Sequence, residues 1–175
     1  MKMKHKPMLA YPVSAKPIDY SKPVFIQPKL DGVRCLIQYD NGKITAYSRT
    51  GKEWKNIDHI LFNLKPFFHF NPNVILDGEL YNHDFKDDFE SIISMVRKTK
   101  PTDEDRSISE KHVQFHCYDI VNRKMKFSTR DEWLTGNLQS NHCIKLVPTN
   151  QVFREDDARV YHARNLAAGY EGSIV

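Results

Sequence analysis

Residues 34–49, RCLIQYD-NG-KITAYSR, leave the backbone little choice. Asn41-Gly42 is a pair that accepts positive φ at both central positions of a type I′ turn. Apolar and β-branched residues flank it on either side, so the segment is predicted to be a β-hairpin. Its strands need neighbours, and the chain offers several. VFIQPKL, residues 24–30, alternates so that Phe25, Gln27 and Lys29 share a face. VILDGELY (74–81), HVQFHCYDIV (112–121) and CIKLVPT (143–149) read as further strands, and EGSIV from Glu171 begins another. In HVQFHCYDIV, Val113, Phe115 and Cys117 point one way, while Gln114, His116 and Tyr118 point the other.

Helical spacing alternates with these strands. Ile57, Ile60, Leu61 and Leu64 keep it until Pro66, where the helix is expected to stop. Residues 85–98 predict one helix with Phe85, Phe89, Ile92, Ile93 and Val96 on a stripe, and Pro101 with TDEDRS predicts a loop. Ser128 is expected to cap a helix carrying Trp133, Leu134 and Leu138. Asp156 and Asp157 open a last helix, with Val160, Ala163 and Ala167 on its buried side and Gly169 closing it. Residues 1–23, rich in Pro and Lys, read as an extended lead-in. Mixed strands and helices with a hairpin imply an α+β fold with antiparallel sheets.

Composition narrows the class. At 175 residues the chain suits one domain, and 40% hydrophobic with 27% charged content argues against disorder. A formal charge of +4 is compatible with a polyanionic partner. Cys35, Cys117 and Cys143 form neither a disulfide framework nor a zinc pattern, so a reducing compartment is expected. MKMKHK lacks the apolar core of a signal peptide, and no run approaches the roughly 18 apolar residues of a membrane helix. A cytoplasmic protein with no membrane association is the expectation. None of the histidines shows metal-ligand spacing.

The chemistry centres on Lys29, Asp31, Gly32 and Arg34, which spell K-x-D-G-x-R. By composition alone the four coincide on the order of once in 100,000 positions. Lysine is a nucleophile only when neutral, and burial and neighbouring cations drive it there. An Asp-Gly turn would let the backbone approach a ligand, and the arginine could hold a phosphate or a ribose. A lone strand lysine is ordinarily a solvent-facing charge; the tetrad is much less easily dismissed. The carboxylates of LDGEL sit within an apolar run, where each must be paired or bind a cation or ligand.

K-L-D-G-V-R resembles the nucleotidyl-transferase motif of the ATP-dependent DNA ligases, a superfamily shared with RNA ligases and mRNA capping enzymes. Further segments match in family order across residues 7–175. Pro7-Met8-Leu9-Ala10 resembles the lead-in, SRTGKEW the second motif with Arg49, and LDGELY the third with Glu79. FHCYDIV resembles the next, with Tyr118 and Asp119, followed by KFSTRDEWL with Arg130 and YEGSIV with Glu171. The resemblance implies an ATP-grasp-like, antiparallel-sheet adenylation domain. In it Lys29 attacks the α-phosphate of ATP and carries AMP as a phosphoramidate. Gln27, Arg34, Arg49, Glu79, Tyr118 and Arg130 would contact the nucleotide or line its pocket. Tyr118 would stack on adenine, Asp119 would support the pocket, and Glu79 would lie at the ribose. Glu171 would help to bind Mg²⁺ or Mn²⁺, and Arg49 would meet the 5′-phosphate of nicked double-stranded DNA. The working unit is expected to be a monomer.

Two departures qualify the match. The family continues beyond its E-G motif into a strand with two lysines and an OB-fold domain. Residues 1–175 are therefore expected to be an adenylation domain that is C-terminally incomplete, with the OB-fold absent from the chain. Ser173 stands where the family usually carries an apolar residue, and looser packing beside Glu171 is expected. Two alternatives remain open: an RNA ligase or GTP-dependent capping enzyme, and a non-catalytic nucleotide- or DNA-binding remnant. An NAD-dependent ligase fits less well, because only 28 residues precede Lys29.

Overall fold

The Asn41-Gly42 turn forms as its chemistry demands, with φ of +49° and +81°. It joins β2 (Val33–Asp40) to β3 (Lys43–Tyr47), which pair antiparallel from Asp40–Lys43 to Leu36–Tyr47. In the computed structural model, which describes residues 6–175, β1 (Val24–Lys29) precedes this hairpin. After it come α1 (Asp58–Asn63), α2 (Lys65–Phe70), β4 (Ile75–Tyr81), α3 (Phe89–Val96) and α4 (Asp103–His112). β5 (Gln114–Ile120), α5 (Phe127–Asn137), β6 (Ile144–Leu146), β7 (Asn150–Val152), α6 (Glu155–Ala167) and β8 (Gly172–Ile174) complete the order.

Contacts divide the chain into two units. The larger holds Gly32–Leu146, together with the described residues of the lead-in up to Pro7. Its five-stranded sheet has the order β3-β2-β4-β5-β6, antiparallel throughout except for the β5–β6 pair. One face carries Cys35, Ile37, Leu76, Leu80, Phe115, Cys117 and Ile144 into a core completed by helical residues such as Ile60, Phe68, Val96 and Leu134. The smaller unit, Met8–Asp31 with Val147–Val175, has a three-stranded sheet, β7-β1-β8. Val24, Ile26, Val152 and Ala158 form its core. Among the described residues no helix is long and apolar enough to cross a membrane.

Several elements differ from the sequence expectation. Pro66 lies in the first turn of α2, where its missing N–H costs no helical bond, so it opens a helix there. The stretch 85–98 is a 3₁₀ turn, His83–Phe85, followed by α3, whose Asp88 side chain accepts from the Ser91 amide. TDEDRS is no loop. Thr102 and Asp105 cap each other's backbone and start α4, whose length is too polar to show an apolar period. Lys126, not Ser128, is the N-cap of α5. CIKLVPT stays a strand only as far as Leu146 before the chain enters the other unit. On α6 it is Ala158 that is buried, while Val160, Ala163 and Ala167 are exposed.

On the sheet face opposite the core, His116 stands edge-on to Tyr81, with ring centroids 5.2 Å apart, and its Nε2 lies 2.9 Å from Gln114 Oε1. Burial, helped by Lys145 and His83, lowers its pKa from 6.5 to about 4. The unfolded chain therefore takes up this proton first on acidification. The stabilisation is full above pH 6.5 and is lost as pH falls toward 4, by about 3 kcal/mol at most. His116→Gln should flatten urea-midpoint curves over that window. Parallel wild-type and variant curves would exclude this role.

Candidate active site

Lys29 ends β1, and its strand parity with Gln27 is as the sequence implies. β8 pairs alongside, with Lys29 opposite Gly172 and Gln27 opposite Ile174. This register brings the residue before β8 to the lysine. Lys29 Nζ contacts Glu171 Oε1, and the Glu171 amide donates to the Lys29 carbonyl at 3.2 Å. The lysine side chain is 40% exposed and its partner is a carboxylate. This half-exposed amine beside a carboxylate differs from the buried amine among cations expected from the sequence. Gln27 is buried, and its Nε2 donates to Thr149 Oγ1 at 2.9 Å.

A second cluster lies within the larger unit, on the sheet face opposite the core. Arg34 on β2 is in register with Glu79 on β4, and Leu36 with Asp77. The Arg34 guanidinium donates from Nε and Nη2 to the two Asp77 oxygens, each at 2.6 Å. Its carbon stands 5.2 Å from the centroid of the Tyr118 ring. Tyr118 Oη donates to Glu79 Oε2 at 3.3 Å. Burial, and then the Glu79 and Asp77 carboxylates, push the phenol well above its ordinary value, so it keeps the proton that it donates. Arg130 forms the same fork on Asp119, at 2.7 and 2.8 Å, and its third nitrogen donates to the Met125 carbonyl at 2.8 Å.

The placement of Asp119 depends on a bulge. β4 and β5 pair Gly78 with Cys117 and Asp77 with Asp119, leaving Tyr118 as the extra residue. By parity alone Asp119 would share the core face of Phe115 and Cys117. The bulge returns it to the face of Asp77, where Arg130 meets it.

Gly32 is required by packing within this unit. A Cβ there would lie 2.4 Å from the Leu80 carbonyl oxygen and 2.8 Å from Glu79 Cγ. The glycine of K-L-D-G-V-R thus allows the backbone to approach β4, where the sequence argument had it approach a ligand. Arg49 is exposed at the tip of a turn closed by Ser48 and Lys52, whose backbone bonds are 2.7 Å (Ser48 amide to Lys52 carbonyl) and, with Gly51, 2.9 Å.

Comparison with known proteins now decides the family. The model for the ATP dependent DNA ligase domain matches residues 7–175. The chain belongs to this family. A DNA ligase of African swine fever virus (isolate Tick/South Africa/Pretoriuskop Pr4/1996) is 32% identical over 156 residues, which are 86% of this chain and 35% of that protein. The chain therefore spans about a third of the length of that relative. The fold is similar to Pmar-Lig_Pre, with TM-score 0.72, 20% identity, and coverage of 94% of this chain and 40% of the other. It is also similar to the ATP-dependent DNA ligase from bacteriophage T7 in complex with ATP, with TM-score 0.60, 17% identity, and coverage of 87% and 56%.

Within this ligase domain the predicted residues fall into two groups, each inside one unit. Gln27, Lys29 and Glu171 belong to the smaller unit, and Arg34, Arg49, Glu79, Tyr118 and Arg130 to the larger. Of the second group, Arg34, Glu79 and Tyr118 are joined by direct contacts. Sequence reasoning left Asp77 without a role, although LDGEL held the signal. A second carboxylate in a buried run needs a cation, and Arg34 is that cation. Thr149, the partner of Gln27, left no signal, because the two are 122 positions apart.

Proposed function

We propose that this chain is the adenylation domain of an ATP-dependent DNA ligase that acts as a monomer on nicked duplex DNA. Lys29 Nζ attacks the α-phosphorus of ATP, a P–N bond forms, and the bond to pyrophosphate breaks. The amine must shed a proton as it attacks, and the Glu171 carboxylate in contact with it is placed to take that proton. The AMP passes to the 5′-phosphate at the nick, and the adjacent 3′-hydroxyl then displaces it. Tyr118 offers its ring to adenine, with Arg34 on one side and its hydroxyl tied to Glu79. In the smaller unit Gln27 contacts the nucleotide, and in the larger unit Arg34, Glu79 and Arg130 are its proposed contacts. Arg49, exposed on its turn, suits a phosphate of the DNA.

The family implies Mg²⁺ or Mn²⁺. Among the described residues no group of three His, Cys, Asp or Glu side chains could hold a metal ion. Magnesium in nucleotide sites is commonly held by one or two carboxylates with substrate phosphates and water, and Glu171 fits that pattern as the single carboxylate. When bound, the ion would supply charge neutralisation at the phosphates.

The observation that carries the reading is the Lys29–Glu171 contact at the head of K-L-D-G-V-R, in a chain matched to the ligase domain from residue 7 to 175. Incubation with α-labelled ATP should leave label on the denatured wild type and none on Lys29→Ala. Label from GTP alone would replace the reading with a capping-type transferase. Reversible binding without covalent label would leave a non-catalytic module.

A further inference from the structure

We propose that Asn165 and Ser173 are positioning residues that hold Glu171 on the nucleophile. The proposal rests on the reading of Lys29 just given. Glu171 is nearly half exposed, at 46% of its side chain, so packing alone does not select its rotamer. Its main chain must be fixed by hydrogen bonds. The Glu171 amide bonds to the Lys29 carbonyl at 3.2 Å, and Asn165 grips the chain on both flanks of that residue. The Asn165 carbonyl accepts the Tyr170 amide at 3.0 Å, and its side-chain Nδ2 donates to Ser173 Oγ at 2.8 Å.

Ser173 completes the arrangement. An amide nitrogen can only donate, so the serine hydrogen remains available to His162 Nδ1, 3.2 Å away. Ser173 is in register with Pro28, one residue from Lys29, so the hydroxyl ties the strand beside the nucleophile to α6. The serine therefore does not loosen this corner: it replaces apolar packing with a directional bond. An apolar residue at 173 would leave Asn165 Nδ2 without its acceptor and free the β8 entry to shift.

Two readouts that move in opposite directions test this. Ser173→Val and Asn165→Ala should slow single-turnover labelling of Lys29 by ATP about five- to tenfold, the equivalent of one net hydrogen bond, at unchanged half-saturating ATP. The same variants should speed acetylation of Lys29 by acetic anhydride, read by peptide mass spectrometry, because the amine is no longer held against the carboxylate and is open to the reagent. Ser173→Thr keeps the hydroxyl and should restore both. A general loss of structure would instead speed acetylation of the other lysines along with Lys29 and would lower the fraction of protein labelled rather than the single-turnover rate constant. Wild-type rates in both variants for both reactions would overturn the proposal. If wild type takes no label from ATP, the reading of Lys29 fails, and unchanged acetylation in the variants would separately refute the positioning role.

Discussion

Arg34→Met should cost the fold about 3 kcal/mol, at the lower end of what breaking a buried ion pair costs. The pair is bidentate, and the Arg34 and Asp77 side chains are only 23% and 10% exposed. Removing the guanidinium leaves the Asp77 carboxylate in a desolvated place without its counter-charge. The same change strips the cation from beside Tyr118, so the ring loses a neighbour 5.2 Å away. Urea unfolding measures the first effect, and the variant's affinity for an adenine nucleotide measures the second. Adding Asp77→Leu to Arg34→Met removes the orphaned charge and should recover part of the lost stability. If the double variant is no more stable than the single one, the stranded carboxylate is not the cause.

Gly78→Ala should be comparably severe. A Cβ at this position would lie 2.3 Å from the His116 carbonyl oxygen and 2.7 Å from a carbon of the Phe115 ring. One neighbour is backbone in the central strand pair and the other is a fully buried ring, so neither can yield cheaply. Overpacking of this kind costs about 1–3 kcal/mol, and a carbonyl at that distance places Gly78→Ala near the top of the range. Gly136 in α5 provides the control, because a Cβ there meets nothing within 4 Å. Gly136→Ala should leave the melting temperature unchanged or raise it. Equal melting temperatures for Gly78→Ala and wild type would show that β4 and β5 do not need this close approach.

The two variants probe different kinds of information. The hairpin around Asn41-Gly42 is legible because turn chemistry is local: two adjacent residues choose the turn, and the flanking pattern fixes the register. The parity of β1 is legible for a similar reason, whereas the turn carrying Arg49 is not: the sequence pattern runs the strand on to Arg49, and β3 ends at Tyr47. The start of α4 was written in Thr102 and Asp105, but an exposed polar helix has no apolar period to reveal it. The buried side of α6 is not legible, because small apolar residues there, Ala163 and Ala167, face water while Ala158 meets the core. Alanine's few carbons make burial optional at any one position.

The site shows the same division. Local spelling marked Lys29, Glu79, Tyr118 and Glu171, and their order placed the chain in its family. It did not show that Arg34 closes on Asp77, 43 positions away. Nor did it show that Asn165 brackets Glu171.

By itself the sequence determined the turn, the strand parities and the run of motifs, because each depends on residues close together in the chain. Only the tertiary structure decided that a bulge at Tyr118 turns Asp119 out of the core, that Gly32 serves β4, and that the Glu171 carboxylate sits on the Lys29 amine. These follow from strand register and from contacts between distant segments. Such contacts are chosen by how whole elements pack, a quantity that no short stretch of sequence contains.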